Sequence, residues 1–325
     1  LSLGWVPRAC LAFVVGYVGA LALYYRHLPV ISNDALTYHF PVAAQWLRSG
    51  WMGVFETWFF NPANMYSPLA GLTFIAWWIA PVGHDALARN VQSPALLLIF
   101  FAALRLMRGL GVRASVAAVI ALALILARPF VRQSIIEKDD LYLVAFFACV
   151  AAGCIQGRLR ERLGPWRIGA ALGMMLATKY TALLALPALV LLIDAPRKAG
   201  WTLRGYFIAA MSVLVIAGPW YLRNLIAYGN PVFPIQVKVL GITLFHGLFA
   251  SARSSQLASF GSIWSLLTQR DQSLPPAPVV FLLVAILAAA VKRRGQLRSD
   301  PLVRLCMLGP PLLLPLLFRP LPARR

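Results

Sequence analysis

The chain has 325 residues, of which 60% are hydrophobic and 12% charged, with a mean hydropathy of +0.75. That mixture excludes an ordinary soluble domain, in which about a quarter of residues are charged. A net charge of +20 would suit a nucleic-acid binder, but here Lys and Arg stand in short clusters between apolar runs, as membrane topology demands, which argues against nucleic acid as a partner.

A helix needs about 20 apolar residues to cross a bilayer, and such runs are predicted at 9–25, 87–107, 114–132, 141–156, 205–221, 277–291 and 302–318. The first run lacks a small-residue cleavage site and reads as a span rather than a signal peptide. The stretch 166–193 is long for one crossing and is interrupted by Lys179. Its flanks are both basic, with Arg158, Arg160, Arg162 and Arg167 before it and Arg197, Lys198 and Arg204 after it. Flanks on one side of the membrane predict a hairpin with Lys179 near its far turn.

Residues 68–82, "PLAGLTFIAWWIAPV", suit either a short span or a helix in the interface. Taken as interfacial, they leave 16 of the 30 Lys and Arg in short loops on the side that carries Arg8, and the positive-inside rule makes that side cytoplasmic. The outer face then holds Asp34, Glu56, Asp85, Glu137, Asp139, Asp140 and Asp271. It also carries two long connections, 26–86 and 222–276.

In the first connection, 35–49 reads as an amphipathic helix with Asp34 as N-cap and Gly50 as its stop. In the second, Leu257, Phe260, Trp264 and Leu267 recur at helical spacing. The expected fold is therefore all-α, a polytopic helical membrane protein with about nine spans and interfacial helices in two long outer loops. The chain lacks an initiator Met and stops at "RPLPARR" after an apolar run, so a fragment is expected at either end. Cys10, Cys149, Cys154 and Cys306 all lie in apolar segments without a CxxC pair, and read as small core residues rather than disulfide or metal sites.

Among the polar residues, Asp34 has two readings, a helix cap or a chemical group. A cap leaves unexplained Tyr38 and His39 one turn on, and a second acidic run, "EKDD" at 137–140, where the third span emerges on the same face. Lys179 in "MLATKYTALLALP" either snorkels to the interface or serves a function, since charge within the membrane is expensive. Arg223 and Asn224 in "PWYLRNLIAYGNPVFP" are interfacial anchors or ligand contacts, and Arg128 and Arg132 are similar cases. His27, His84 and His246 read as interfacial polar residues. Trp46, Trp58, Trp77 and Trp78 suit the aromatic belt, with sugar stacking as the alternative.

The order of an acidic site after the first span, an interfacial helix, "EKDDLYLVAFF", "TKYTALLALP" and "PWYLRNLIAYGNPVFP" resembles the GT-C superfamily of membrane glycosyltransferases. It is most similar to bacterial relatives of protein O-mannosyltransferases and of lipid A aminoarabinose transferases. The resemblance runs from about residue 9 to 235, making 1–235 a GT-C-like catalytic module that includes the first outer loop, 26–86. Residues 236–325 would add outer-loop helices and C-terminal spans, the part expected to be truncated.

The resemblance implies a multi-pass enzyme of the bacterial inner membrane whose site faces the periplasm or cell exterior. Its donor would be a polyprenyl-phosphate-linked sugar, hexose or pentose, and its acceptor a hydroxyl on a lipid, glycan or protein. Matched by position, the catalytic base is Asp34 in "SNDALTYHF" and the second acidic site is Asp140, because "DLYLVAFF" follows it. Many relatives carry a second acid beside the first, where this chain has Ala35.

The chemistry needs residues of these types. Phosphate leaves readily, so transfer requires a carboxylate to take the acceptor's proton, a role worth about 10²–10⁴ in rate. It also requires cations near the departing phosphate, for which Lys179, Arg223 and Lys138 are candidates. Tyr38 and His39 would orient the base or the sugar, and Glu137, Asp139 and Asn224 complete the expected substrate-binding set. No cofactor is assigned; a divalent cation held by "EKDD" and Asp34 through hard oxygen ligands is left open. A transporter or lipid flippase is the alternative function, but its coupling acids belong near the midplane of repeated halves, and no halves are evident. A non-catalytic scaffold is a third class.

Overall fold

The structure, a computed structural model, describes residues 4–30, 32–55, 65–109, 111–156, 164–190, 192, 200–239 and 241–248. The spans expected at 277–291 and 302–318, the helix expected at 257–267, and Glu56, Trp58, Asp271 and Cys306 lie outside the described residues.

Helix α1, Trp5–Tyr25, begins the chain. A five-residue π-turn at Ala35–His39 leads into α2, Phe40–Ser49, which stops at Gly50 with φ +66°, the left-handed position that glycine enters at least cost. Helix α3 is Ala70–Ile79. Ten residues rise only about 15 Å, half the hydrocarbon thickness. A 3₁₀ turn at Ala88–Asn90 opens α4, Ser93–Gly109. Then come α5, Ala114–Ile125, α6, Arg128–Ser134, and α7, Asp140–Gln156.

Helix α8 is Pro165–Thr178, followed by a 3₁₀ turn at Tyr180–Ala185, α9 at Leu186–Val190, and α10 at Leu203–Tyr228. Among the described residues three segments are long and apolar enough to cross a membrane, α1, the continuous stretch Ala88–Gly109 and α10, and the bent pair Ala114–Ile125 with Arg128–Ser134 makes a fourth if it is one span. The protein is a multi-pass helical membrane protein.

Two expectations change here. The run 114–132 is not one straight helix: α5 and α6 meet at a 59° bend. Pro129 lacks an N–H and would crowd the carbonyl four residues back, so the helix ends and restarts with Pro in its first turn. The fold is also not purely helical. Val237–Val239 (β1) and Ile242–Phe245 (β2) pair antiparallel, with Val239 opposite Ile242. This ribbon lies in the second long connection, ahead of the helix expected at 257–267, and Asn230 pins it by donating to the Ile235 and His246 carbonyls at 2.8 Å each.

The core gathers one face from each of several helices. Leu96, Ile99 and Phe100 of α4 meet Ala117, Ala118 and Ala121 of α5, Leu141 and Ala145 of α7, and Val14 of α1. Alanines let α5 lie close to its neighbours. Helices α8 and α10 lie in close backbone contact. A Cβ on Gly169 would fall 2.3 Å from the Ala209 carbonyl oxygen, and one on Gly173 would fall 3.0 Å from Ile216 Cβ. Small residues four apart let helix backbones touch where lipid offers no hydrophobic drive. The Tyr221 hydroxyl ties the same pair by donating to the Leu176 carbonyl at 3.0 Å.

After Lys179 the chain turns back. Ala182 and Ala185 join an apolar cluster with Met175 of α8 and Leu143, Phe146 and Phe147 of α7. Lys179 thus stands at the break between two packed segments, with extended dihedrals of φ −156° and ψ 153°.

Candidate active site

The carboxylate of Asp34 accepts an ion pair from Lys138, Nζ to Oδ2 at 2.6 Å. This contact joins the loop after α1 to the acidic run before α7. Asp34 is not a helix cap. It has helical dihedrals, φ −63° and ψ −37°, and makes no capping bond. Ser32 caps instead, its Oγ accepting from the Ala35 N–H at 3.2 Å. The Asp34 side chain is therefore committed to Lys138, and it remains 37% exposed.

Lys179 arrives from α8 and bridges the next two carboxylates, with Nζ 2.7 Å from Asp139 Oδ1 and 2.6 Å from Asp140 Oδ1. It does not snorkel away from the acids; it sits between them. The two aspartates differ in setting. Asp140 keeps 34% of its side chain exposed, and Gln133 Nε2 donates to its Oδ2 at 2.9 Å. Asp139 is buried, its side chain 2% exposed, under the first turn of α3. A Cβ on Gly71 would fall 2.1 Å from Asp139 Oδ2. Burial pushes the Asp139 carboxyl above the usual carboxylate range, against the pull of Lys179.

Three carboxylates and two ammonium groups thus share one locality. Tyr38 and His39 form its inner wall, their rings 4.1 Å apart. Both are buried, and His39 has no exposed surface. Neither His39 ring nitrogen has a hydrogen-bond partner among the described residues, and burial lowers the imidazole pKa to about 3, so the ring is neutral. Trp46 is buried too, donating to the Gly53 carbonyl at 2.9 Å and packing on Trp220, so neither the belt nor sugar stacking describes it. Trp77 is exposed. With Trp78, Phe74, Pro81, Leu87 and Tyr142 it lines an apolar cleft of about 550 Å³.

Arg223 and Asn224 lie in a second polar group near the end of α10. Arg223 donates through Nη2 to the Tyr66 and Ser67 carbonyls at 3.1 and 3.4 Å, and its guanidinium lies 5.4 Å from the Trp220 ring centre. Its Nη1 has no hydrogen-bond partner among the described residues. Asn224 is fully buried and donates to the Tyr66 carbonyl and the Tyr180 hydroxyl, each at 2.7 Å. It acts as a clamp between segments. Glu137 belongs to neither group. It is buried and paired with Arg89 at 3.1 Å.

Several residues at the site were not singled out from sequence: Gln133, Gly71, Tyr180, Arg89 and Gln92. The last two had a legible signal, because polar side chains inside a predicted span are expensive unless partnered. For a metal, the donor set does not fit as it stands. Each of the three carboxylates is held by a lysine, and among the described residues no three His, Cys, Asp or Glu side chains group as ligands.

Two solved structures share this fold. ArnT from Cupriavidus metallidurans bound to undecaprenyl phosphate matches with a TM-score of 0.57 and 16% identity, over 97% of this chain and 60% of that one. The Saccharomyces cerevisiae protein O-mannosyltransferase Pmt1-Pmt2 complex bound to the sugar donor matches with a TM-score of 0.51 and 16% identity, over 70% of this chain and 34% of that one. The chain therefore spans less than two thirds of either protein. No family model and no curated protein sequence matches it. The likeness shows that this chain shares the fold of these two proteins.

Proposed function

We propose that this chain is the catalytic part of an inverting glycosyltransferase that moves a hexose or pentose from a polyprenyl-phosphate carrier to an acceptor hydroxyl, on the periplasmic or outer face of a bacterial inner membrane. The observation that supports this most is the Asp34–Lys138 contact at 2.6 Å, because it brings the carboxylate after the first span into one locality with Asp139, Asp140 and Lys179. The kinship of fold with proteins solved with undecaprenyl phosphate and with a sugar donor agrees with it.

In this reading Asp34 is the base. Its exposure lets a hydroxyl from the aqueous side reach it, while Lys138 holds the carboxylate in one orientation. The acceptor O–H gives its proton to Asp34, and its oxygen forms a bond to the anomeric carbon from the face opposite the phosphate. The bond from that carbon to the phosphate oxygen breaks, and the electron pair departs with the phosphate. One displacement inverts the centre. Asp140, also partly exposed, would hold sugar or acceptor hydroxyls.

Lys138 and Lys179 keep a crowded set of carboxylates together. Arg223, with Nη1 uncommitted among the described residues, is the side chain best disposed to grip the phosphate. Tyr38, His39, Asp139, Glu137 and Asn224 serve as wall and clamps, since all five are buried.

The test is transfer from radiolabelled polyprenyl-phosphate sugars by purified protein in liposomes, comparing the wild type with Asp34→Asn. Loss of a base predicts a fall in rate of about 10²–10⁴ with donor binding retained. Full transfer by Asp34→Asn would remove the base assignment. Movement of the lipid across the bilayer without transfer would favour a flippase.

A further inference from the structure

Two buried side chains at the entry to α4, Arg89 and Gln92, touch both of the segments that carry the site acids. Arg89 donates to the Pro29 carbonyl in the loop that leads to Asp34. Its guanidinium also faces the Tyr25 ring, 5.4 Å from the ring centre, and its Nε lies 3.1 Å from Glu137 Oε1. Glu137 is the residue before Lys138, and Lys138 holds Asp34. The loop after α1 and the acidic run are therefore tied at two points, a buried one through Arg89 and a partly exposed one through Lys138. One tie would act as a pivot, whereas two fix an orientation.

Gln92 fixes the other flank. It has no exposed surface, and its amide is fully used. Nε2 donates to the Gln133 and Ile136 carbonyls at 2.8 Å each, and Oε1 accepts from the Leu141 N–H at 2.7 Å. A primary amide has two donor hydrogens and an acceptor oxygen, so only Gln of the common side chains meets this set at this reach. The bonds bracket Lys138, Asp139 and Asp140 from both ends. They also set the backbone of Gln133, whose side-chain amide donates to Asp140.

We propose that Arg89 and Gln92 are positioning residues, a brace that sets the placement of Asp140 relative to Asp34 without touching substrate. Charge is not their main contribution, because Arg89 is neutralised by Glu137 and Gln92 has none. The inference rests on the transferase reading only for its kinetic consequence; the geometric claim stands by itself.

The experiment measures the geometry directly. Spin labels are placed on exposed Leu47 of α2 and exposed Arg132 of α6, in a chain whose four cysteines are replaced by alanine and which sits in lipid nanodiscs. The distance distribution is expected to be narrow with the brace intact, and broad in Arg89→Met and in Gln92→Met. Arg89→Lys, which keeps the charge facing Glu137 but not the forked reach, should fall between.

In the transfer assay the two methionine variants should lose about 10²-fold in kcat while the donor KM stays put, the pattern of a misplaced reacting group. Arg89→Lys should recover part of that loss. Folded methionine variants with the narrow distribution would overturn the proposal, and so would failure of all three variants to fold, which would make the contacts a requirement for assembly rather than for placement. If the intact protein shows no transfer, the transferase reading falls and the distances still decide the brace.

Discussion

Lys138 and Asp34 meet at 2.6 Å, although one precedes α7 and the other follows α1. Both side chains are partly in water, so their ion pair adds little to stability, within about 1 kcal/mol. Lys138→Met should therefore leave the unfolding temperature nearly unchanged; if Asp34 is the base, as proposed, it should also slow transfer roughly tenfold as that carboxylate loses its orientation. Combined with Asp34→Asn, the lysine change should add no further loss. Independent, multiplying losses in turnover would show that the two residues do not act as one unit.

Lys179 faces a different balance, because Asp139 beside it is buried. Removing one partner of a buried pair leaves an uncompensated charge, at a cost of about 3–5 kcal/mol. Lys179→Met is expected to unfold at markedly lower denaturant. Adding Asp139→Asn should restore most of that stability, since the orphaned charge is gone. Equilibrium unfolding in detergent would read both, and an equally unstable double variant would assign the loss to something other than the pair.

The contact of α8 with α10 gives a steric prediction. Gly169→Leu places a side chain where a Cβ already meets the Ala209 oxygen at 2.3 Å, and overpacking of this kind costs about 1–3 kcal/mol or more. Gly16→Leu on α1, where nothing lies within 4 Å of the added Cβ, should be tolerated. Thermal melts of the two variants side by side are the check.

His39 carries a pH dependence. Burial lowers its pKa to about 3, below the unfolded value of about 6.5. The unfolded chain then binds a proton that the folded one refuses, so this contribution to stability is fully present above pH 6.5 and is lost as the pH falls toward 3. Between pH 6.5 and 5 the loss approaches about 1.4 kcal/mol per unit. Melting curves across that interval should slope for the wild type and flatten for His39→Phe; equal slopes would show that the ring is not held neutral.

Much of the site was legible because charge in an apolar chain is costly and therefore informative. Asp34, "EKDD" and Lys179 stood out for that reason, and all but Glu137 of these converge. Gly50 was legible as a stop because a left-handed residue ends a helix wherever it occurs. The role of Asp34 as a cap was misread, since Ser32, two residues earlier, offers an equally good oxygen and only the fold decides which side chain has another partner. The bend at Pro129 was present in the sequence as a local signal, but hydropathy averaged over a window hides a single missing N–H. The brace was hidden for a further reason: Arg89 and Gln92 find their partners around Pro29 and residues 133–141, and no periodicity within a helix reports bonds across such separations.

Backbone contact at Gly169 and Gly173 has one more effect. Lys179 lies just beyond the end of α8 and Arg223 near the end of α10, so the spacing of ammonium and guanidinium is inherited from a helix crossing several residues away. Both cations hang from one helix pair, like two hooks on a shared rail. If Arg223 grips the donor phosphate as proposed, glycines that never meet the lipid set its distance from the carboxylates that Lys179 holds.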